Sequence, residues 1–391
     1  MKTSWPHILI AIAAGYAVCF QIGKVPAALP LIGAEFGLTL WQSGAIVSSL
    51  SVLTAVSGIF VGLWANRYRA ERTALLALSI AIAAGLAGSA ADSFYVVLCS
   101  RVLEGLGYIL AMAALPAVVS AHCAPADRPL ALAGWGSTVP GGIAVLMLSS
   151  PVLIEAGGLG WRGVWIATVV AISLITVLFC ITFRPLSRVT DTVRPAPPAD
   201  DLAQALRLRP LSLVALFILY SLQFLAVVSF LPTMIVEQSD YALGTAAFLG
   251  GIVAVGNAVG SVLAGPLIAI GLGRRNIMMI GYAIMAVSAA AVLFDILPVP
   301  MRIAAAVIFA TAGALIPGTI WTFVPELARS PSQAPIFAGM FIQGSGIGQL
   351  LGPVLLGGLV DYFGSWQFAV ILTTTASALG IVLARLSQPN T

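Results

Sequence analysis

Long apolar runs separated by short polar breaks recur from Pro6 to Leu386, and the polar residues inside the runs are few and isolated. Taking roughly 18 apolar residues as the length that crosses a bilayer, the pattern predicts helices near 7–24, 41–64, 73–91, 94–120, 130–155, 162–183, 210–235, 243–270, 276–297, 301–325, 333–360 and 366–386. The short alternating segments of a membrane barrel are absent, and unpaired backbone groups are not tolerated in lipid, so the spanning elements are helices. The expected fold is an all-α membrane protein of twelve transmembrane helices. The longest polar stretch, 184–209, contains Arg194-Pro195-Ala196-Pro197-Pro198 and Asp200-Asp201 and reads as a solvated cytoplasmic linker. It divides the chain into two six-helix bundles, 1–183 and 210–391.

Composition narrows the function classes. Of 391 residues, 60% are hydrophobic and 8% charged, which leaves no room for a sizeable soluble domain. The 18 Lys/Arg exceed the 14 Asp/Glu, but the basic residues lie in short clusters between apolar runs, so they read as topology signals and not as a nucleic-acid surface. With the N-terminus inside, fourteen fall in inner loops and only Lys24, Arg162 and Arg302 at outer ends. That bias, with an even helix count, places both termini in the cytoplasm, and the expected location is a bacterial cytoplasmic (inner) membrane. The alternative reading of the first run as a signal peptide would leave an odd count and spoil the bias.

A shift of about 202 residues brings the two halves into register. Leu29-Pro30 with Glu35 matches Leu231-Pro232 with Glu237, Gly62 with Arg72 matches Gly265 with Arg275, and Pro151-Val152-Leu153 matches Pro353-Val354-Leu355. Gly160-Trp161-Arg162 with Trp165 answers Gly364-Ser365-Trp366 with Phe368. Four ordered matches at nearly one offset point to duplication, and internal repeats of this kind build secondary transporters.

Three local patterns extend this. The loop after the second helix reads Gly62-Leu63-Trp64-Ala65-Asn66-Arg67-Tyr68-Arg69-Ala70-Glu71-Arg72, helix four carries Arg101-Val102-Leu103-Glu104-Gly105-Leu106-Gly107, and Gly160-Trp161-Arg162 opens helix six. Together they resemble the major facilitator superfamily over essentially the whole chain, with Asn66 where an aspartate is usual and Arg69 where a glycine is usual. The resemblance implies two pseudo-symmetric bundles that rock about a central cavity. It also implies a cytoplasmic gate made by Gly62, Asn66, Arg67 and Arg72 with their second copy, Gly265, Arg274 and Arg275. Ser150-Pro151-Val152-Leu153-Ile154-Glu155 departs from the glycine-rich helix-five pattern of drug antiporters. Arg101 to Gly105, taken with Trp135-Gly136-Ser137-Thr138-Val139-Pro140-Gly141, is similar to the cyanate and nitroimidazole permease-like branch.

An Arg or acidic residue in mid-helix costs roughly 2.5–3.5 kcal/mol on insertion scales, so each one calls for a reason. Arg101 and Glu104, at i and i+3 with Tyr108 a turn further on, form one polar face that belongs in the bundle interior or against an aqueous cavity. Two readings stand: Glu104 exchanges a proton beside Arg101, which contacts the solute, or the two form an ion pair that fixes packing. Lys24, with Gln21 on the same face, is expected to close helix one and snorkel to the interface, or to meet an anion at the outer mouth. In the second half the candidate solute contacts are Tyr220, Gln223, Asn257, Trp321, Gln343 and Gln349, joined from the first half by Gln21, Lys24, Arg101, Tyr108 and Trp135; for the second-half residues ordinary helix-to-helix hydrogen bonding is the alternative. The stripe Gly344, Gly348 and Gly352 offers close packing or a sliding surface.

No Gly-rich phosphate loop ending in Lys-Ser or Lys-Thr occurs, His7 and His122 lie at helix ends, and the four cysteines form no C-x-x-C. No metal, cofactor or catalytic constellation is therefore expected. The sequence predicts a monomeric secondary active transporter, not an enzyme, that moves a neutral or singly charged organic solute across the lipid bilayer with coupling to protons. The rivals are a drug or metabolite efflux antiporter and a membrane sensor or scaffold that does not transport.

Overall fold

The computed structural model describes residues 3–65, 69–156, 158, 160–183, 206–328 and 333–387. The apolar runs form the spans α1 (Trp5–Phe36), α2 (Leu40–Val61), α3 (Ala70–Ser89), α4 (Phe94–Ala121), α5 (Leu130–Gly136 with Thr138–Leu148), α6 (Gly160–Thr182), α7 (Leu208–Gln238), α8 (Leu243–Ala269), α9 (Arg274–Leu293), α10 (Val299–Leu327), α11 (Ala334–Phe363) and α12 (Trp366–Leu386). Eleven among the described residues are long and apolar enough to span alone; α5 is the twelfth if its two legs, bent by 48°, count as one span. The bend falls at Gly136-Ser137, just ahead of Pro140, where small residues and a missing backbone donor allow a kink. With α5 counted as one span the number is even, which brings the start of α1 and the end of α12 to the same face, here the terminal face.

The helices form two six-helix bundles, and one pair of hydrogen bonds displays their duplication directly. In the first, Trp161 Nε1 donates to Glu35 Oε2 at 2.7 Å. In the second, Trp366 Nε1 donates to Glu237 Oε2 at 2.9 Å. Both tie the opposite-face end of a bundle's first helix to the start of its last. Gln21 and Gln223, 202 positions apart, likewise turn into their own bundles, Gln21 towards the Ala81 carbonyl of α3 and Gln223 towards Ser377 of α12.

α1 overturns one expected boundary. It does not stop at Lys24 but runs through Pro26 and Pro30 to Phe36, where Gly37 adopts a left-handed conformation (φ 61°) and Leu38 N–H bonds back to the Gly33 carbonyl at 2.9 Å. Lys24 is therefore neither at the outer mouth nor snorkelling, since its side chain is fully buried. The ammonium is satisfied inside the bundle, so the charge does not end the span.

Between the bundles, α2 packs along α11, the second leg of α5 against α8, and α1 against α7, whereas α4 and α10 pack chiefly within their own bundles. The α2–α11 seam is polar at intervals. Asp361 accepts backbone N–H bonds from Leu40 and Trp41 at 3.1 and 2.7 Å, Ser51 Oγ donates to Gln349 Oε1 at 3.0 Å, and Gln343 Nε2 donates to the Ala55 carbonyl at 3.0 Å while its Oε1 accepts from Ile59 N–H at 3.3 Å. Ala55 C=O and Ile59 N–H are the two groups an α-helix pairs with each other, so the Gln343 amide sits astride one rung of the α2 ladder. The Gly344, Gly348 and Gly352 stripe faces α7 inside the second bundle, so it packs that bundle and is not the sliding face; Gly339, Gly346 and Gly357 meet α2 instead.

Candidate functional site: a buried charge cluster

Helix α2 is interrupted at Leu50-Ser51, between Leu40–Ser49 and Val52–Ala65. At the break α4 comes in so closely that a Cβ on Gly105 would lie 2.1 Å from the Leu50 carbonyl oxygen. This approach sets Arg101 and Glu104, one turn and one residue ahead of Gly105, deep in the first bundle, where they are 1% and 0% exposed. Arg101 Nη1 donates to Glu104 Oε2 at 2.5 Å and to the Gln21 carbonyl at 2.7 Å, and Nε reaches the Ile46 carbonyl of α2 at 3.4 Å. The other carboxylate oxygen takes Lys24 Nζ, also at 2.5 Å. Above the ammonium lies the Trp165 ring of α6, with its centroid 4.3 Å away, a distance at which the ring's negative face attracts a cation.

Four helices thus converge on one carboxylate shared by two cations. Arg101 is held by carbonyls of α1 and α2 as well as by Glu104, and its planar fork suits that fixed arrangement. Lys24 has Glu104 and the indole face. Two polar atoms in this region, Gln21 Oε1 and Trp165 Nε1, are buried without a hydrogen-bond partner, and α3 packs so closely at Gly85 that a Cβ there would lie 2.7 Å from Val169, with Glu104 Oε1 and Gln21 Nε2 at 3.8 and 3.9 Å. Tyr108, a turn beyond Glu104 on α4, is buried in the same interior. Among the sequence candidates, Gln21, Lys24, Arg101 and Glu104 are brought together; Trp165, known from the sequence only as a repeat marker, is the member that reading missed.

The remaining candidates lie in four separate places. Tyr220 and Asn257 pair within the second bundle, Asn257 Nδ2 donating to Tyr220 Oη at 2.7 Å and to the Ala310 carbonyl at 3.2 Å. Tyr220 stacks on Phe224 (5.6 Å) beside Phe217, which meets Trp321 edge-on at 6.5 Å, and Trp321 in turn meets Phe341 at 5.9 Å, so α7, α10 and α11 carry a continuous aromatic wall with Trp321 its exposed member. Gln223 bonds to Ser377 away from that wall, and Gln343 and Gln349 lie in the α2–α11 seam. Trp135, on the first leg of α5, packs its ring on Gly15 of α1.

At the terminal face, Arg274 joins Arg209 on Glu326 at 2.7 and 2.9 Å, tying the ends of α7, α9 and α10 within the second bundle. Gly62 lies in the helical backbone of Val52–Ala65, Arg72 in the first turn of α3, and Gly265 in α8, where a side chain would meet open space. Arg275, beside Arg274 at the start of α9, is half-buried with its Nε unbonded. Asn66 and Arg67 lie outside the described residues, as does most of the linker, 184–205. No group of three or more His, Cys, Asp or Glu with metal-holding geometry occurs among the described residues.

Comparison with known proteins bears on the whole assembly. A family model described as Major Facilitator Superfamily matches residues 10–345 and again 244–391. The galactose-proton symporter of Escherichia coli strain K12 is 27% identical over 176 residues, 45% of this chain and 37% of that protein; the arabinose-proton symporter of the same strain is 27% identical over 178 residues with the same coverage. The matched stretch spans little more than a third of the length of these curated relatives. Two crystal structures of a bacterial homolog of the human lysosomal transporter Spinster share the fold. Its inward-facing occupied form has a TM-score of 0.78 over 99% of this chain and 98% of that one, and its inward-facing unoccupied form 0.76 over 98% of each, both at 19% identity.

Proposed function

Because the chain belongs to the major facilitator superfamily, we propose that it is a proton-coupled secondary active transporter for a small neutral or singly charged organic solute. The observation that carries this reading is the fully buried Lys24–Glu104–Arg101 cluster in a multi-pass membrane protein. Ionisable groups held at membrane depth mark ion or proton pathways by default. The partial likeness to sugar-proton symporters supports proton coupling and a small polar solute.

In this reading the bundles 1–183 and 210–391, joined by 184–209, rock about the seam as single monomers in a bacterial inner membrane with both termini cytoplasmic. The solute rests against the aromatic wall of Phe217, Tyr220 and Trp321, with Asn257 oriented by Tyr220 to offer an amide. Aromatic faces with a few placed polar groups suit the apolar face and hydroxyls of a sugar-like solute. Opening at the face away from the termini requires Asp361 to leave the start of α2, and opening at the terminal face requires Gln343 to leave Ala55 and Ile59. The gate residues Gly62, Asn66, Arg67, Arg72, Gly265, Arg274 and Arg275 set the second of these movements.

A thermal-shift screen of monosaccharides and small organic anions identifies a ligand. Counterflow and uptake in proteoliposomes, with and without an imposed pH gradient, then test the reading. Uphill accumulation that requires the gradient is the expected result. Binding without counterflow would make the protein a sensor, and accumulation indifferent to the pH gradient would remove the proton.

A further inference from the structure

We propose that the group which releases and regains the coupled proton is Lys24, with Glu104 remaining an anion and Arg101 a fixed cation; the proposal rests on the proton-coupled reading above. Lys24, Glu104 and Arg101 are all fully or almost fully buried, and they carry two positive charges against one negative. Arg101 cannot give up its proton in a protein. Protonating Glu104 would leave two cations side by side with no anion, the costliest arrangement available to buried charges. Deprotonating Lys24 leaves a neutral Arg101–Glu104 pair that keeps its hydrogen bonds and the carbonyls of Gln21 and Ile46. Of the two titrations open to the cluster, only the one at Lys24 lowers its net charge.

The surroundings support a lysine in this role. The charged groups facing Lys24 are Glu104 and Arg101 of α4; α6 presents the uncharged Trp165 ring, α3 presents Gly85 and the Ala81 carbonyl through Gln21, and α2 presents the Ile46 carbonyl. The second leg of α5, the span of α7 from Pro210 to Val236, and α8 contain no Asp, Glu, Lys or Arg. The other titratable side chains of this interior, Cys19 and Tyr108, are buried and carry no charge in their ordinary forms. An ammonium over an indole face, with one carboxylate to hand, can lose its proton to a passing water and leave the amine against the same ring.

The chain has only two lysines, Lys2 and Lys24, so K2R leaves Lys24 as its one lysine signal without touching the cluster. The test is a pH titration of lysine labelled with ¹³C and ¹⁵N in the full-length protein in nanodiscs, followed at Cε and Nζ. In parallel, infrared difference spectra of wild type and E104Q report any carboxylic acid at Glu104. The expected result is a titration shift at Lys24 while the protein stays folded, with no acid band lost in E104Q. A Lys24 signal that remains an ammonium throughout overturns the proposal, and so does an acid band assigned to Glu104. K24R supplies the functional arm, because it keeps the charge and cannot release it. It should retain counterflow and lose gradient-driven accumulation. Wild-type flux indifferent to a pH gradient overturns the proton-coupled reading itself; flux that responds to the gradient equally in wild type and K24R overturns the role of Lys24 alone.

Discussion

Removing the carboxylate and removing the ammonium should have very unequal costs, and the inequality follows from the geometry. Lys24 and Arg101 each lie 2.5 Å from a different oxygen of Glu104. With the width of a carboxylate between them, the two cations are about 6–7 Å apart, and their repulsion at an effective dielectric of about 20 is about 2.5 kcal/mol. In Glu104→Gln that repulsion is no longer offset and one charge-assisted bond to each cation is lost. Destabilisation of about 3–5 kcal/mol is expected, as for other buried pairs broken from one side. Lys24→Met removes one cation and leaves Arg101 bound to Glu104 and to the carbonyls of Gln21 and Ile46, so it should cost only about 1–2 kcal/mol. Equilibrium unfolding in mixed detergent and SDS micelles reads both variants on one scale. The double variant completes the cycle: with Lys24 already gone, Glu104→Gln should cost less than it does alone. Equal losses for the two single variants, or a double variant whose losses simply add, would refute the charge count.

Other consequences follow from single contacts. Gly105→Val would push side-chain carbons into the Leu50 carbonyl, and a loss of about 1–3 kcal/mol or more is expected in the same unfolding assay, with the Arg101–Glu104 face displaced. Trp161→Phe and Trp366→Phe delete equivalent indole bonds to Glu35 and Glu237, so each should cost about 1 kcal/mol and the two should add, measured as unfolding midpoints of the single and double variants. Asp361→Asn takes the charge from the carboxylate that receives the first N–H groups of α2, worth about 0.3–1 kcal/mol at a helix start. It should raise thiol labelling of a cysteine placed at Ser43 from the face away from the termini, and unchanged labelling would mean that this contact does not hold the seam.

Much of the fold is legible in the sequence because lipid imposes a length and a polarity that no local propensity can hide. The duplication is legible too: Glu35 and Glu237, matched by offset alone, turn out to accept the same indole bond. Lys24 lies inside its span and not at a helix end, for a reason the local sequence hides. A lysine followed by Pro26 and Pro30 has the look of a helix end, and the partner that keeps it inside, Glu104, is 80 residues away. The Gln21–Lys24 spacing was the available signal, since a polar face of that register at membrane depth needs a partner. Gln343 and Gln349 show a different difficulty. Helix α11 carries small residues on several faces, so the sequence does not tell which face meets α7 and which meets α2.

The most direct measurement is accumulation, in proteoliposomes holding an imposed pH gradient, of whichever solute gives counterflow, compared between wild type and Lys24→Arg. A coupled proton carried by Lys24 predicts that wild type concentrates the solute while the variant only equilibrates it. Equal uphill accumulation by both proteins would contradict the account.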